Sequence, residues 1–288
     1  MRIPLMYTLV TVIWGTNWIA IKAAAVDLGP LLASGLRFLV AVPVLVTLCL
    51  VLRVPLVFPR GLGWFGAFAT VGYFGVPFLL LNLAETGISS GLAALCFAME
   101  SVIIVFLSKP MLGTALRPVQ IIGVLTACAA LLLLVSDVSA SSWWAVTAAL
   151  GAASMHAFAY VVVKKHGASV HPLTLNTLPM LVAGACLTLL GAFTETPDLT
   201  PRAVVATVHL GLVASVLGLV GYFWLLQRVT AVAASFVFVL FPLVAQIVAV
   251  RVEHVPFGLR ELTLTLVIAL AFTLTQLAGR RPLQLSAR

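Results

Sequence analysis

Two triplets of side chains share one spacing. Trp14, Trp18 and Lys22 stand at i, i+4 and i+8, and His156, Tyr160 and Lys164 repeat that spacing 142 residues later. Positions four apart lie on one helical face, so each triplet forms a stripe of two rings ending in a cation. Such rings stack on an aromatic or apolar ligand, each offset or edge-to-face pair contributing about 0.5 to 1.5 kcal/mol. His156 adds an imidazole, the side chain that changes charge near neutral pH. The same residues also serve ordinary purposes: Trp18 and Tyr160 as an interfacial aromatic belt, Trp14 in helix packing, His156 as a satisfied hydrogen-bond partner and Lys22 as a snorkelling cation. Both readings stand open at the level of the sequence.

Glu100 is the other group with chemical potential, an acid in the middle of an apolar run. A charge there costs about 2.5 to 3.5 kcal/mol on insertion scales, an expense that marks a pathway, a relay or a buried partner. Three roles compete: a protonated acid tied into packing, a proton-coupling carboxylate, or an anchor for a substrate ammonium. Asn17 and Asn82 need partners in hydrocarbon, and either binds a substrate's polar group or stitches helices together. Around them stand Tyr73, Phe74, Phe78, Met99, Tyr222 and Trp224, with Ser215 nearby. Pro77 lacks an N–H and releases a backbone carbonyl for a neighbour or a ligand.

These groups must be held by elements of an unusual kind. Of 288 residues, 62% are hydrophobic and 8% charged, against about 25% charged in a soluble domain, so a soluble fold is excluded. The formal charge of +8 is too thinly spread for a nucleic-acid surface. Four separate cysteines, Cys49, Cys96, Cys128 and Cys186, form neither a disulfide framework nor a zinc motif. A bilayer core needs about 20 apolar residues per helix. The chain divides into ten such spans: 3–24, 31–52, 63–83, 88–108, 117–136, 143–164, 173–193, 203–225, 230–250 and 259–279.

Charge in the connections orients the spans. With the N-terminus inside, Arg2, Arg53, Arg60, Lys109, Arg117, Lys164, Lys165, Arg228, Arg280, Arg281 and Arg288 collect on the cytoplasmic side. Asp27, Glu85, Asp137, Glu195, Asp198, Glu253 and Glu261 then lie outside with Arg202, Arg251 and Arg260, while Lys22 and Arg37 fall within or at the ends of spans. The positive-inside rule places both termini in the cytoplasm.

The 142-residue offset aligns Trp14 with His156, Trp18 with Tyr160, Lys22 with Lys164 and Pro30 with Pro172, and superposes spans 1 to 5 on spans 6 to 10. Five spans per half is an odd number, so the second half enters from the opposite side. An inverted repeat of this kind is a transporter signature, with the substrate near the midplane and alternating access around it. Residues 1–140 and 141–288 are the two repeat units.

The run Val12-Ile13-Trp14-Gly15-Thr16-Asn17-Trp18, the stretch Leu226 to Ala234, and Phe241-Pro242-Leu243-Val244 followed by Glu253 resemble the EamA family of the drug/metabolite transporter superfamily. Within it, the chain is most similar to bacterial aromatic amino-acid exporters. The resemblance implies an all-α integral membrane protein of ten helices in two inverted five-helix repeats, located in the inner membrane, with a central cavity lined by spans 1, 3, 4, 6, 8 and 9. It also implies paired proline kinks. Here Pro242 has Glu100 as its mate, so the kink in span 4 is expected to be missing.

The resulting expectation is a secondary exporter of small metabolites, above all aromatic and other apolar amino acids, and of drug-like compounds. Its binding set is Trp14, Asn17, Trp18, Tyr73, Phe74, Phe78, Asn82, Met99, Glu100, His156, Tyr160, Tyr222 and Trp224, with Glu100 and His156 as coupling groups. It needs no cofactor, metal or nucleic acid. Its partners are the solute and membrane lipids, and the oligomeric state is left open, a monomer being compatible with it. No nucleotide-binding motif is present. The competing class is an integral-membrane enzyme acting on a lipid or apolar metabolite, with Glu100 and His156 as acid and base.

Overall fold

Ten helical units occupy the ten predicted spans. The computed structural model describes residues 3–113, 117–136, 138–235, 237–254 and 258–279. The predicted topogenic residues Arg2, Asp137, Arg280, Arg281 and Arg288 lie outside the described residues. In chain order the units are α1 (Ile3–Leu28), α2 (Pro30–Val51), α3 (Gly63–Glu85), α4 (Ser90–Leu112) and α5 (Pro118–Val135). The second five are α6 (Trp143–His166), α7 (Pro172–Thr194), α8 (Pro201–Arg228), α9 (Ala231–Ala234 followed by Val237–Val252) and α10 (Leu259–Gly279). The first eight are long and apolar enough to cross a bilayer, and α9 contributes a shorter apolar helix.

Local chemistry sets where these helices begin. Pro30, Pro118, Pro172 and Pro201 occupy first turns, where a missing N–H removes no hydrogen bond. Ser89, Thr200 and Thr230 are N-caps whose hydroxyls accept from the backbone N–H of Leu92, Ala203 and Ala233.

Irregular turns fall where the repeat relates them. Residues 69–75 of α3 and 210–219 of α8 are π-helical, and the 142-residue offset lays one stretch on the other. A π-helical turn widens the ladder and re-aims side chains, which is why it concentrates at functional sites. Span 4 has Glu100 where its mate span has Pro242, and runs over Ser90–Leu112. The α4 helix is interrupted at Met99, immediately before Glu100, without proline. There the Met99 N–H donates to Cys96 O at 3.2 Å, and Ser101 Oγ donates to Ala98 O at 2.8 Å. A tightened turn with a serine back-bond thus breaks the regular ladder.

Contacts at the two ends show the inversion directly. Lys22 Nζ donates to Ile88 O at 3.0 Å, and neighbouring Gly87 packs so tightly that a Cβ there would lie 2.6 Å from Trp144 and Ala145 side-chain atoms. The finish of α1 and the start of α6 therefore share one end of the bundle. At the other end Tyr7 Oη donates to Ala233 O, and Lys164 Nζ donates to Leu226 O at 2.9 Å and Val229 O at 2.6 Å. Packing follows the same symmetry: α2 lies against its mate α7, α5 against its mate α10, α1 against α9, and α6 against α3 and α4. Almost every large helix contact therefore joins the two halves.

Candidate functional site

The stripes of α1 and α6 meet in the centre. Trp14 and Trp18 from the first half and His156 and Tyr160 from the second all line one cavity of about 50 Å³. Each stripe stacks on helices of the opposite half. Trp14 lies parallel to Phe238 at 5.7 Å and tilts against Tyr222 at 5.0 Å. Trp18 stacks on Phe241 at 5.6 Å and meets Phe97 edge-on. His156 stacks on Tyr73 at 4.7 Å and touches Phe78 and Phe97 edge-on, while Tyr160 and Tyr73 join hydroxyls at 2.7 Å. Trp14 reaches its place because residue 218 is glycine: a Cβ there would lie 2.6 Å from Trp14 Nε1.

Pro77 explains the state of His156. Pro77 has no N–H to give the carbonyl four residues before it, that of Tyr73. His156 takes this carbonyl through Nε2 at 3.0 Å. Because a carbonyl only accepts, Nε2 carries a proton; Nδ1, which presents a lone pair in the neutral ring, has no partner.

The cavity wall also contains Asn17, Phe78 and Arg37, together with Ile21, Leu81, Phe97, Leu219 and Phe241. All of these are buried, and Trp14 alone in the wall is partly exposed. Asn17 Oδ1 accepts from His209 Nε2 at 3.0 Å. Arg37 is the residue that sequence reasoning passed over. Arg37 is 3% exposed, and its guanidinium lies over Phe78 at 4.8 Å and Phe38 at 5.6 Å. Nε and Nη2 donate to Ser215 Oγ at 3.4 and 3.3 Å. Nη1 has no partner. The signal was present: Arg37 stands eight residues into its helix, too deep to be a loop cation. It also brings α2 into the wall, in addition to the six spans that the family resemblance implied.

Several expected site residues are placed elsewhere. Tyr73 backs His156 from behind, and Phe74 packs edge-on to Phe38. Asn82 is fully buried and ties Ser34 Oγ and Phe78 O together, both at 2.9 Å. Tyr222 packs behind Trp14, with no partner for its hydroxyl. Met99 and Glu100 are buried at the α4 interruption and do not line the cavity. Neither Glu100 oxygen has a partner. Trp224 does not line the cavity and is stacked under Arg228 at 4.0 Å.

Two charged groups also depart from expectation. Glu85, counted as an exterior loop acid, is fully buried, with Oε2 accepting from Ser90 Oγ at 3.0 Å. Lys22 does not simply snorkel: it forms an ion pair with Glu253 at 3.1 Å. The cause in both cases is tertiary, since α9 delivers Glu253 to the junction of α3 and α4.

The helical inversion and the cavity shared by both halves define a multi-pass membrane transporter of the inverted-repeat class. The EamA-like transporter family matches residues 1–136 and again residues 143–277. The chain belongs to that family. Protein PagO of Salmonella typhimurium is 33% identical over 287 residues, 97% of this chain and 94% of that protein. An uncharacterized transporter of Buchnera aphidicola is 32% identical, covering 95% of this chain and 93% of its own length. A probable amino-acid metabolite efflux pump of Escherichia coli is 32% identical over 130 residues, 45% of this chain and 41% of that protein. One solved crystal structure superposes with a TM-score of 0.76 at 17% identity, over 96% of this chain and 98% of that one, a likeness of fold alone.

Proposed function

We propose that this protein is a secondary-active exporter of small metabolites in a bacterial inner membrane, with aromatic and other apolar amino acids as the leading substrate class and drug-like compounds as further cargo. The observation that carries this reading is the cavity whose wall both stripes build: Trp14 and Trp18 from one repeat, His156 and Tyr160 from the other. A mostly aromatic wall with a few polar groups suits a small amphiphilic solute. The Escherichia coli relative is described as a probable amino-acid metabolite efflux pump, which favours the same class.

In this reading residues 1–140 and 141–288 rock against each other, opening the cavity to alternate sides. Both termini face the cytoplasm, which puts the Lys22 end outside. Against the competing enzymatic reading, Glu100 does not line the cavity that His156 reaches, so the two are not presented to one substrate as acid and base there. Glu100 and His156 are the coupling groups.

Uptake of radiolabelled tryptophan, phenylalanine, threonine and a cationic drug into proteoliposomes, with and without a pH gradient, tests the proposal. Saturable flux that Trp14→Ala reduces about tenfold is expected. Absence of flux for every solute, in sealed vesicles with folded protein, would remove the amino-acid assignment. Glu100→Gln should abolish the effect of the gradient while leaving solute binding unchanged; retained gradient dependence would exclude Glu100 as the coupling group.

A further inference from the structure

We propose that Arg37 is the anchor for a carboxylate in the central cavity, so that the cargo is an organic acid or amino acid whose acid group is received between α2 and α8. This rests on the transport reading above and narrows its substrate class.

An arginine that is 3% exposed in the middle of an apolar bundle calls for an anionic partner. Among the described residues Arg37 forms no ion pair. Its polar contact is the Ser215 hydroxyl, shared by Nε and Nη2, and Nη1 has none. The Phe38 and Phe78 rings lie beside it, and with Nε and Nη2 turned to Ser215 the Nη1–Nη2 edge of the fork is left for a ligand. That edge is planar and presents paired donors, the geometry that a carboxylate meets in bidentate fashion. Arg37 also lines the cavity that Trp14 and Trp18 share, so an acid group at the guanidinium has aromatic surface beside it.

The repeat sharpens the assignment. At the offset of 142 residues, Arg37 falls on Pro179 and Ser215 falls on Tyr73. The cation therefore occurs once in a duplicated framework, and gives the cavity a polarity that symmetric helix packing does not require. His156 supplies the complementary group. Its Nδ1 lone pair is unpartnered and its ring lies 5.0 Å from the Phe78 ring that Arg37 covers. A ligand carrying both an acid and an N–H donor, as an amino acid does, satisfies Arg37 and His156 together. About 50 Å³ accommodates a group the size of a carboxylate, and a side-chain ring enters by parting the stacked aromatic pairs.

Binding to purified full-length protein decides the matter. The probes are 3-phenylpropionate, its amide 3-phenylpropanamide, and phenylalanine, each titrated by tryptophan fluorescence. The wild-type protein should bind the acid at least 30-fold more tightly than the amide, and phenylalanine more tightly still. Arg37→Gln should reduce the acid's advantage to less than threefold, while Trp14→Ala weakens acid and amide alike. If Arg37→Gln does not fold, Arg37→Lys keeps the charge without the fork and should cut the advantage about tenfold. An unchanged ratio in the folded variant overturns the proposal. So does equal binding of acid and amide by the wild-type protein, or binding of neither. Phenylalanine flux in proteoliposomes separates the two claims: flux without discrimination between acid and amide removes the anchor alone, and discrimination without flux removes the transport reading alone.

Discussion

Lys22 and Lys164 occupy the same position in the two repeats and close opposite ends of the bundle in related ways. Each donates to backbone carbonyls at the connection between the third and fourth helices of its own half: Lys22 to Ile88 O, and Lys164 to Leu226 O and Val229 O. Around that shared geometry the chemistry diverges. Lys22 also pairs with Glu253, whose carboxylate accepts from the Ser90 N–H, and Ser90 Oγ in turn donates to buried Glu85. At the Lys164 end the mate of Glu253 is Met111 and the mate of Glu85 is Gln227. Gln227 Nε2 donates to Gly167 O at 3.1 Å and Val170 O at 2.7 Å. Duplication thus preserved the backbone arrangement, and acids were placed at one end only. One end carries an ion pair and a buried acid, and the other is held by neutral acceptors.

The largest effect should come from Lys22→Met, which strands Glu253, 13% exposed, beside a second acid. Breaking a fully buried pair costs about 3 to 5 kcal/mol, and partial exposure reduces this to about 2 kcal/mol. Denaturation by sodium dodecyl sulfate in mixed micelles would measure it, and a loss below about 0.5 kcal/mol would show that the pair does not hold this end. Glu253→Gln should cost about 1 kcal/mol. In a double-mutant cycle the coupling to Lys22 should shrink in 1 M salt, where the screening length is about 3 Å.

Lys164→Met should be milder. It frees carbonyls that water at the bundle end can reach, at a cost of about 0.5 to 1 kcal/mol without salt dependence. A marked salt effect would break the contrast between the ends. The smallest change is expected from Met111→Glu, which places an acid where the repeat relates it to Glu253. A gain of a few tenths of a kcal/mol, together with new salt sensitivity at the Lys164 end, would show that geometry alone was waiting for a charge.

Much of the site was legible because helices in a membrane obey few rules. The stripe of Trp14 and Trp18 and its counterpart of His156 and Tyr160 were readable from 3.6-residue periodicity and one offset, and both line the cavity. Pro77 was readable as a carbonyl-releasing residue, and His156 uses the carbonyl it releases. Other candidates are placed away from the cavity wall for a common reason. Periodicity says which residues share a face, but not what that face meets. Trp224 shares a helix with Tyr222 yet pairs with Arg228 away from the cavity, and Asn82 points toward Ser34. Phe97 entered the wall with no signal beyond its aromaticity, and Phe241 with only its place in the Phe241-Pro242-Leu243-Val244 run.

By itself the sequence determined the class of solvent, the ten helices, their pairing into two inverted halves and the two stripes. Those properties follow from hydrophobic length, charge placement and local spacing, which act along the chain. Tertiary structure decided which charges are isolated and which are paired. Arg37 lies deep in its helix in either case, but only the packing of α2 and α8 against α3 leaves it with a serine and two aromatic faces. Glu253 reads as a loop acid until α9 brings it to a lysine 231 residues away. The energy of a charge in a low-dielectric bundle depends on its nearest neighbours in space, and those neighbours come from helices distant in the chain.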